Sequence, residues 1–420
     1  MQVVLFEDDR VDQLAPLTMG RPAYAIGCAG YRLIELVESL GPVHVIVRDY
    51  LRDLEMADGR RVLVAGEPAS GSQAADAAII AVNARLAPGV ANCDLLRRLA
   101  NADRSAIAVA GESVAAAFIK HPPRHLFAAS AVEFSAAIRR LELPAVAADL
   151  RLLEYPHDVI REHQRSLREN LEFRIRDGFR QHSDGLFVAE GVTIGEHLVT
   201  NTQAGPIVLD AGASLGPFCY LSGPAYVGPG ARLIEMAVLK DGVAIGARAK
   251  IGGEIETSIV EPLSNKQHHG FLGHSYVGSW VNLGAGTSNS DLKNTYGSVT
   301  MDYGGRRVPS GMQLVGCFIG DYAKTAVNTG IFTGKAIGVC SMAYGFVTTN
   351  VPGFTNYARS MGQVTEIGLD VAVATQARMF ARRGIEQRVC DVDLLRSLFE
   401  LTRPERANFG TPLPPEPLSL

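Results

Sequence analysis

Between Leu209 and Ile251 a branched aliphatic residue recurs at every sixth position: Leu209, Leu215, Leu221, Val227, Leu233, Leu239, Ile245 and Ile251. Small or polar residues, several of them glycine, fill the gaps. A six-residue period is too long for a helix face and is not strand alternation. It is the pattern of a parallel β-helix, where each aliphatic points into a prism and three hexads close one coil. The register recurs at Val188 and Ile194, at Phe271, Val277 and Leu283, and at Ile319, Ile331 and Ile337. Composition agrees. Glycine supplies 43 of 420 residues, above the usual share of about 7%. Aromatics make up only 7%, with Trp280 the single tryptophan. Tight coil corners favour glycine and leave little room for rings.

Two stretches break the register, 256–270 and about 288–314. Breaks in a solenoid map to loops, often on the binding face. The first break ends in His268 and His269, and His274 follows just beyond it, three histidines within seven residues.

The first half of the chain reads differently. Apolar runs at 2–6, 43–47, 78–82 and 106–110 alternate with helical spacing at 31–40 and an Ala-rich amphipathic stretch at 130–142. Strands alternating with helices predict a mostly parallel, covered sheet. Ligands in such sheets sit at the carboxyl ends of strands. Those ends are Glu7-Asp8-Asp9-Arg10 and Asn83-Ala84-Arg85. The predicted organisation is an α/β domain over 1–157, a linker over 158–180, a β-helix over 181–365 and a helical tail over 366–420. The linker carries Val159, Ile160, Leu167, Leu171 and Ile175 at helical spacing, which predicts an amphipathic helix ended by Gly178. His163 is expected on its surface. The final TPLPPEPLSL is expected to be loose.

Charge and cysteine usage exclude several classes. Forty Lys+Arg against 44 Asp+Glu give a net charge of −4, no basis for a nucleic-acid-binding protein. The six cysteines, at 28, 93, 219, 317, 340 and 390, are scattered without a CxxC, which fits a reducing cytoplasm. The N-terminus lacks the pattern of a signal peptide. No apolar run reaches about 18 residues, so neither a transmembrane helix nor a membrane partner is expected.

Two segments carry a resemblance. In 14–35, Pro16-Leu17-Thr18 and Arg21-Pro22 resemble the segment after the phosphate loop of sugar-phosphate nucleotidyltransferases. The family's Gly-rich loop is replaced by Asp8-Asp9-Arg10-Val11-Asp12, its following lysine by Ala23, and its magnesium-binding aspartate by Arg85. Backbone amides of the loop, a lysine and a metal supply the electrostatics of nucleotidyl transfer. The resemblance therefore implies altered phosphate handling. Asp8, Arg10, Arg21, Asn83 and Arg85 are its candidate nucleotide and phosphate residues, and Asp8 and Asp9 its candidate Mg2+ ligands.

The second segment, NKQHHGFLGHSYVGSWVNLGAGT at 265–287, resembles the acetyltransferase half of the bifunctional uridyltransferase/acetyltransferase family. More specifically, the chain resembles a bacterial subgroup with an altered N-terminal domain; the insertion 302–312 is similar to that of archaeal and alternative bacterial members. The resemblance implies a left-handed β-helix, a homotrimer and acetyl-CoA or another acyl-CoA as co-substrate. It puts the catalytic base at His268 and the active-site asparagine at Asn282. Two departures stand out. The family's tyrosine falls at Phe271, and a lysine used for the sugar phosphate falls at Glu256. Lys266, Lys293, Arg306 or Arg307 would then supply positive charge.

The chemistry follows. Attack of an amine or hydroxyl on a thioester needs a base titrating near neutrality, which histidine supplies. It also needs donors for the oxyanion, available from corner amides. Gly284-Ala285-Gly286 would admit a pantetheine arm, and Lys324 and Lys335 would line the CoA path. The predicted function is acyl transfer to a sugar phosphate or nucleotide sugar, possible nucleotidyl transfer residing in the first domain. Zinc held by His268, His269 and His274 is an alternative role for the histidines. A nucleotidyltransferase whose β-helix only trimerises, or a non-catalytic sugar-nucleotide-binding scaffold, is the alternative for the whole chain.

Overall fold

A computed structural model describes residues 1–63, 77–128 and 130–409. The chain divides into two compact units, residues 1–155 and 156–420. The terminal TPLPPEPLSL lies outside the described residues.

The first unit is built on a six-stranded sheet of β1 (Gln2–Phe6), β2 (Val43–Ile46), β3 (Arg61–Val62), β4 (Ile79–Asn83), β5 (Ala106–Ala110) and β6 (Ser113–Ile119), in the order β3-β2-β1-β4-β6-β5. β1 is parallel to both β2 and β4, and β6 runs antiparallel to β4 and β5. Val3, Val4, Leu5 and Phe6 are all buried, the composition of a strand covered on both faces. Phe134, in the helix Ala131–Arg139, meets Phe6 with ring centroids 5.3 Å apart. β6 had no sequence expectation: its Ala115-Ala116-Ala117 run has low strand propensity. It is a strand because it fills the buried slot beside β4, where tertiary context overrides propensity.

The second unit is a parallel β-helix. Leu209 pairs with Val227 and Val227 with Ile245 on one face, Leu215 with Leu233 and Leu233 with Ile251 on the second, and Leu221 with Leu239 on the third. All are buried in one continuous core. Antiparallel pairing at the two ends, Arg180–Ser183 on Leu186–Val188 and Thr355–Ala358 on Gln363–Glu366, closes the stack. Capping of this kind covers the open end of a repeat array.

The stretch 256–270 is not a loop. Its strands Ile259–Val260 and Asn265–Lys266 form a regular coil. The sequence register slips because the preceding faces are shorter: Ile255 stacks on Leu239, Val260 on Ile245 and Lys266 on Ile251. In consequence Leu272, not Phe271, faces the core. The second break is a true insertion. It leaves the coil after Ser288–Asn289, is pinched at its base by a Leu292–Leu314 bridge, and carries a hairpin of Thr300–Tyr303 against Arg306–Pro309.

The expected linker helix spans Pro156–Arg174, short of Gly178, and belongs to the second unit. Its Val159, Ile160, Leu167 and Leu171 face is buried. His163 is fully buried rather than on the surface, its Nε2 2.9 Å from the Gly242 carbonyl. It lies on the same helical stripe as those aliphatics, one turn from Leu167, so it enters the core with them. The tail forms helices Leu369–Arg382, Val389–Leu401 and Arg403–Ala407. Phe380 stacks on Trp280 at 4.5 Å and so docks the first of these on a coil corner. Among the described residues no helix is long and apolar enough to cross a membrane.

Candidate active site

Asn265–Lys266 and Ser264 end one face of the prism, and the chain then turns through Gln267-His268-His269-Gly270 into Phe271–Gly273. His268 and His269 are exposed on this corner. The corner of the next coil, Gly284-Ala285-Gly286, sits directly over it: the Gly286 amide donates to the His269 carbonyl at 3.0 Å. Asn282 is exposed on the adjoining face, bridged in the ladder between Asn265 and Lys324. The Asn265 side-chain amide donates to Asn282 Oδ1 at 3.3 Å, and Arg383 from the tail donates to Asn265 Oδ1 at 2.8 Å. The fold thus brings together His268, Asn282 and the glycine corner. Sequence reasoning missed Asn265, which opens the 265–287 segment but was given no role in it, and Arg383, which no motif carries.

The glycines serve packing rather than open space. A Cβ at Gly284 would lie 2.5 Å from the Ala326 carbonyl carbon, and one at Gly286 2.1 Å from Asn328 Oδ1. The next coil, not an empty slot, occupies those positions.

The candidate cations are dispersed. Lys266 is buried inside the prism, with Nζ donating to the Gly252 and His268 carbonyls at 3.0 and 2.7 Å. Lys324 Nζ is turned onto the Tyr322 carbonyl at 2.9 Å, and its residue lines a cavity with Tyr322, Cys340, Met342 and the helix residues Ala372 and Gln376. Burial lowers its pKa. Lys335 is half-buried on the face carrying Ile337. Lys293 Nζ donates to the Ser298 carbonyl within the insertion, while Arg306 and Arg307 are exposed on its hairpin. Glu256 lies 3.5 Å from Lys240, which is held more closely by Glu254 at 2.6 Å, so one cation is shared between two carboxylates here.

The three histidines are not brought to one point. His274 is buried, and its Nδ1 lies 2.8 Å from Asp291 Oδ2. Among the described residues no group of three His, Cys, Asp or Glu side chains is placed to share a metal ion.

In the first unit, Asp8 lies two residues past the end of β1 and Asn83 ends β4. Asp8 is buried and accepts from Arg85 Nε and Nη2, each at 2.8 Å, and from Asn83 Nδ2 at 2.8 Å. Burial pushes the Asp8 carboxyl up, but the Arg85 contacts outweigh it and hold the pKa below 3.8. Arg85 is itself fully buried and donates further to Ser113 Oγ and the Leu153 carbonyl, with Glu154 at 3.0 Å. These residues do not fit a divalent cation, since guanidinium groups already occupy both buried carboxylates at this strand end, Arg85 on Asp8 and Arg48 on Glu7. Asp9 is exposed. Arg10 is paired with Glu112 and lies 3.8 Å from Glu154. Arg21 is buried, and its carbonyl is held by Arg48, which also clamps Glu7. A short 3-10 turn, Val11–Leu14, stands where the resemblance places a glycine loop.

Residues 3–177 match the sugar nucleotidyl transferase family. The chain also resembles bifunctional nucleotidyl- and acetyltransferases. It is 31% identical over 117 residues to the bifunctional sugar-1-phosphate nucleotidylyltransferase/acetyltransferase of Sulfurisphaera tokodaii, a match covering 28% of each chain. It is 35% identical over 119 residues to the bifunctional protein GlmU of Ralstonia pickettii, covering 27% of this chain and 25% of that one. The matched segments therefore span about a quarter of those relatives' length. The UDP-N-acetylglucosamine acyltransferase of Francisella novicida aligns over 53% of this chain and 76% of its own at 14% identity and a TM-score of 0.34. At that score it adds nothing to a fold already visible in the strand ladders.

Proposed function

We propose that the β-helix unit transfers an acyl group, acetyl in the first instance, from acyl-CoA to an amino or hydroxyl group of a sugar phosphate or nucleotide sugar. The observation that carries this reading is the stacking of the exposed His268 corner under the Gly284–Gly286 corner, with Asn282 on the adjoining face. His268 accepts the proton of the attacking group as it adds to the thioester carbonyl. Corner amides and Asn282 are the donors for the oxyanion, and the CoA thiol then leaves with a proton. The exposed Arg306 and Arg307 of the hairpin meet the acceptor's phosphate, a task for which the buried Lys266 is poorly placed. The partial identity to the acetyltransferase-containing relatives supports this class of reaction. The resemblance carried by residues 265–287 also motivates a homotrimer.

The test is His268→Ala assayed for acetyl-CoA turnover with glucosamine-1-phosphate and related acceptors. Loss of kcat of about a hundredfold or more is expected for removal of a general base; full activity would sink the role.

A second reading is nucleotidyl transfer by the first unit, favoured by the family match over residues 3–177. Pyrophosphate release from UTP and a sugar-1-phosphate would establish it. Because Asp8 is bound to Arg85, no metal-assisted step is assigned to that carboxylate.

A further inference from the structure

On the second face of the prism the inward column reads Leu215, Leu233, Ile251, Lys266 and Leu283. A lysine thus stands where every neighbouring coil carries an aliphatic, and it is as buried as they are, at 2% exposure. Among the described residues no carboxylate pairs with it. An ammonium inside a core without a counter-charge costs several kcal/mol in general, whereas an aliphatic would pack there at no such cost. Packing therefore gives no reason for the lysine.

Its contacts do. Nζ donates to the Gly252 carbonyl at 3.0 Å and to the His268 carbonyl at 2.7 Å. These belong to the corners of two successive coils, so one ammonium ties both together. The glycine at 253 leaves it the room: a Cβ there would stand 2.7 Å from Nζ and 2.9 Å from the His268 carbonyl oxygen. The strands on either side end at Lys266 and resume at Phe271, and between them the His269 and Gly270 carbonyls are held by the Gly286 and Glu254 amides, while the His268 carbonyl is held by Lys266.

We propose that Lys266 is a positioning residue for His268: from inside the prism its ammonium holds the His268 carbonyl beside that of Gly252 and fixes the corner from which the imidazole projects. This rests on the reading of His268 as the base. A misplaced base loses rate more than affinity, because only the transition state requires its alignment.

The test compares the full chain with Lys266→Met and Lys266→Leu, either of which suits the aliphatic column. Both are expected to fold with an unfolding midpoint at or above that of the unaltered protein. kcat should fall about tenfold or more while KM for acetyl-CoA stays within about twofold. Amides of 267–270 should exchange faster with deuterium. A kcat within about twofold of the unaltered protein, or a loss confined to KM, would overturn the proposal. So would failure of both variants to fold, which would make Lys266 a requirement of the prism. His268→Asn, assayed in parallel, separates the two claims. Turnover surviving in that variant refutes the base itself. An inactive His268→Asn beside a fully active Lys266→Met refutes the positioning role alone.

Discussion

Asp8 and Arg85 form a buried bidentate pair, Nε to Oδ1 and Nη2 to Oδ2 at 2.8 Å each, at the carboxyl edge of the N-terminal sheet. The geometry joins the ends of two strands that are neighbours in space but distant in sequence. It turns a candidate metal ligand into half of an ion pair.

Removing one partner strands the other. Arg85→Ala leaves the Asp8 carboxylate buried without its cation, at a cost of about 3–5 kcal/mol. Urea denaturation followed by a probe in the first unit checks this. Addition of EDTA to the unaltered protein is expected to leave the midpoint unchanged, since no metal bound at Asp8 would be lost.

His163 makes the second unit sensitive to acid. Burial pushes its pKa down from 6.5 to about 4, against a smaller upward pull from the Gly242 carbonyl. The unfolded chain therefore takes up a proton that the folded one refuses. Stability from the neutral imidazole is fully present above pH 6.5 and is lost as pH falls towards 4, by at most about 3 kcal/mol. His163→Gln should flatten this part of the stability–pH curve, read by thermal melts between those limits.

Lys266 acts in the opposite range. Burial lowers its pKa from 10.5 to about 8. Between those values the unfolded chain binds more protons than the folded one, so stability rises with pH, by up to about 3 kcal/mol. Melts of the unaltered protein and Lys266→Met across this window should converge towards the alkaline end. Parallel curves would show that the lysine does not titrate in the core.

Gly284→Ala tests the corner stack. Its Cβ would lie 2.5 Å from the Ala326 carbonyl carbon and oxygen, which is backbone and has nowhere to move without shifting the next coil. Overpacking of this kind costs about 1–3 kcal/mol. Denaturant unfolding measures it, and an unchanged midpoint would contradict the spacing of these coils.

The six-residue period made the prism legible from Leu209 to Ile251 because each inward aliphatic sits on the one before it, a relation local enough to count along the chain. The alternation of apolar runs did the same for β1, β2 and β4. The residues around His268 singled out that corner as well, and the structure exposes it on the prism. Counting failed at the shortened coils, where the inward place passes from Phe271 to Leu272 and falls to Lys266. It failed at His163, whose burial depends on a helix lying against Gly242. It failed at Asp8, whose role depends on a guanidinium contributed from Arg85. The sequence by itself determined a β-helix behind an α/β domain, because periodic burial is written along the chain. Only the tertiary structure decided which polar side chains stay open to a ligand and which are spent on one another. That outcome depends on partners brought together across coils and strands, and no spacing encodes it.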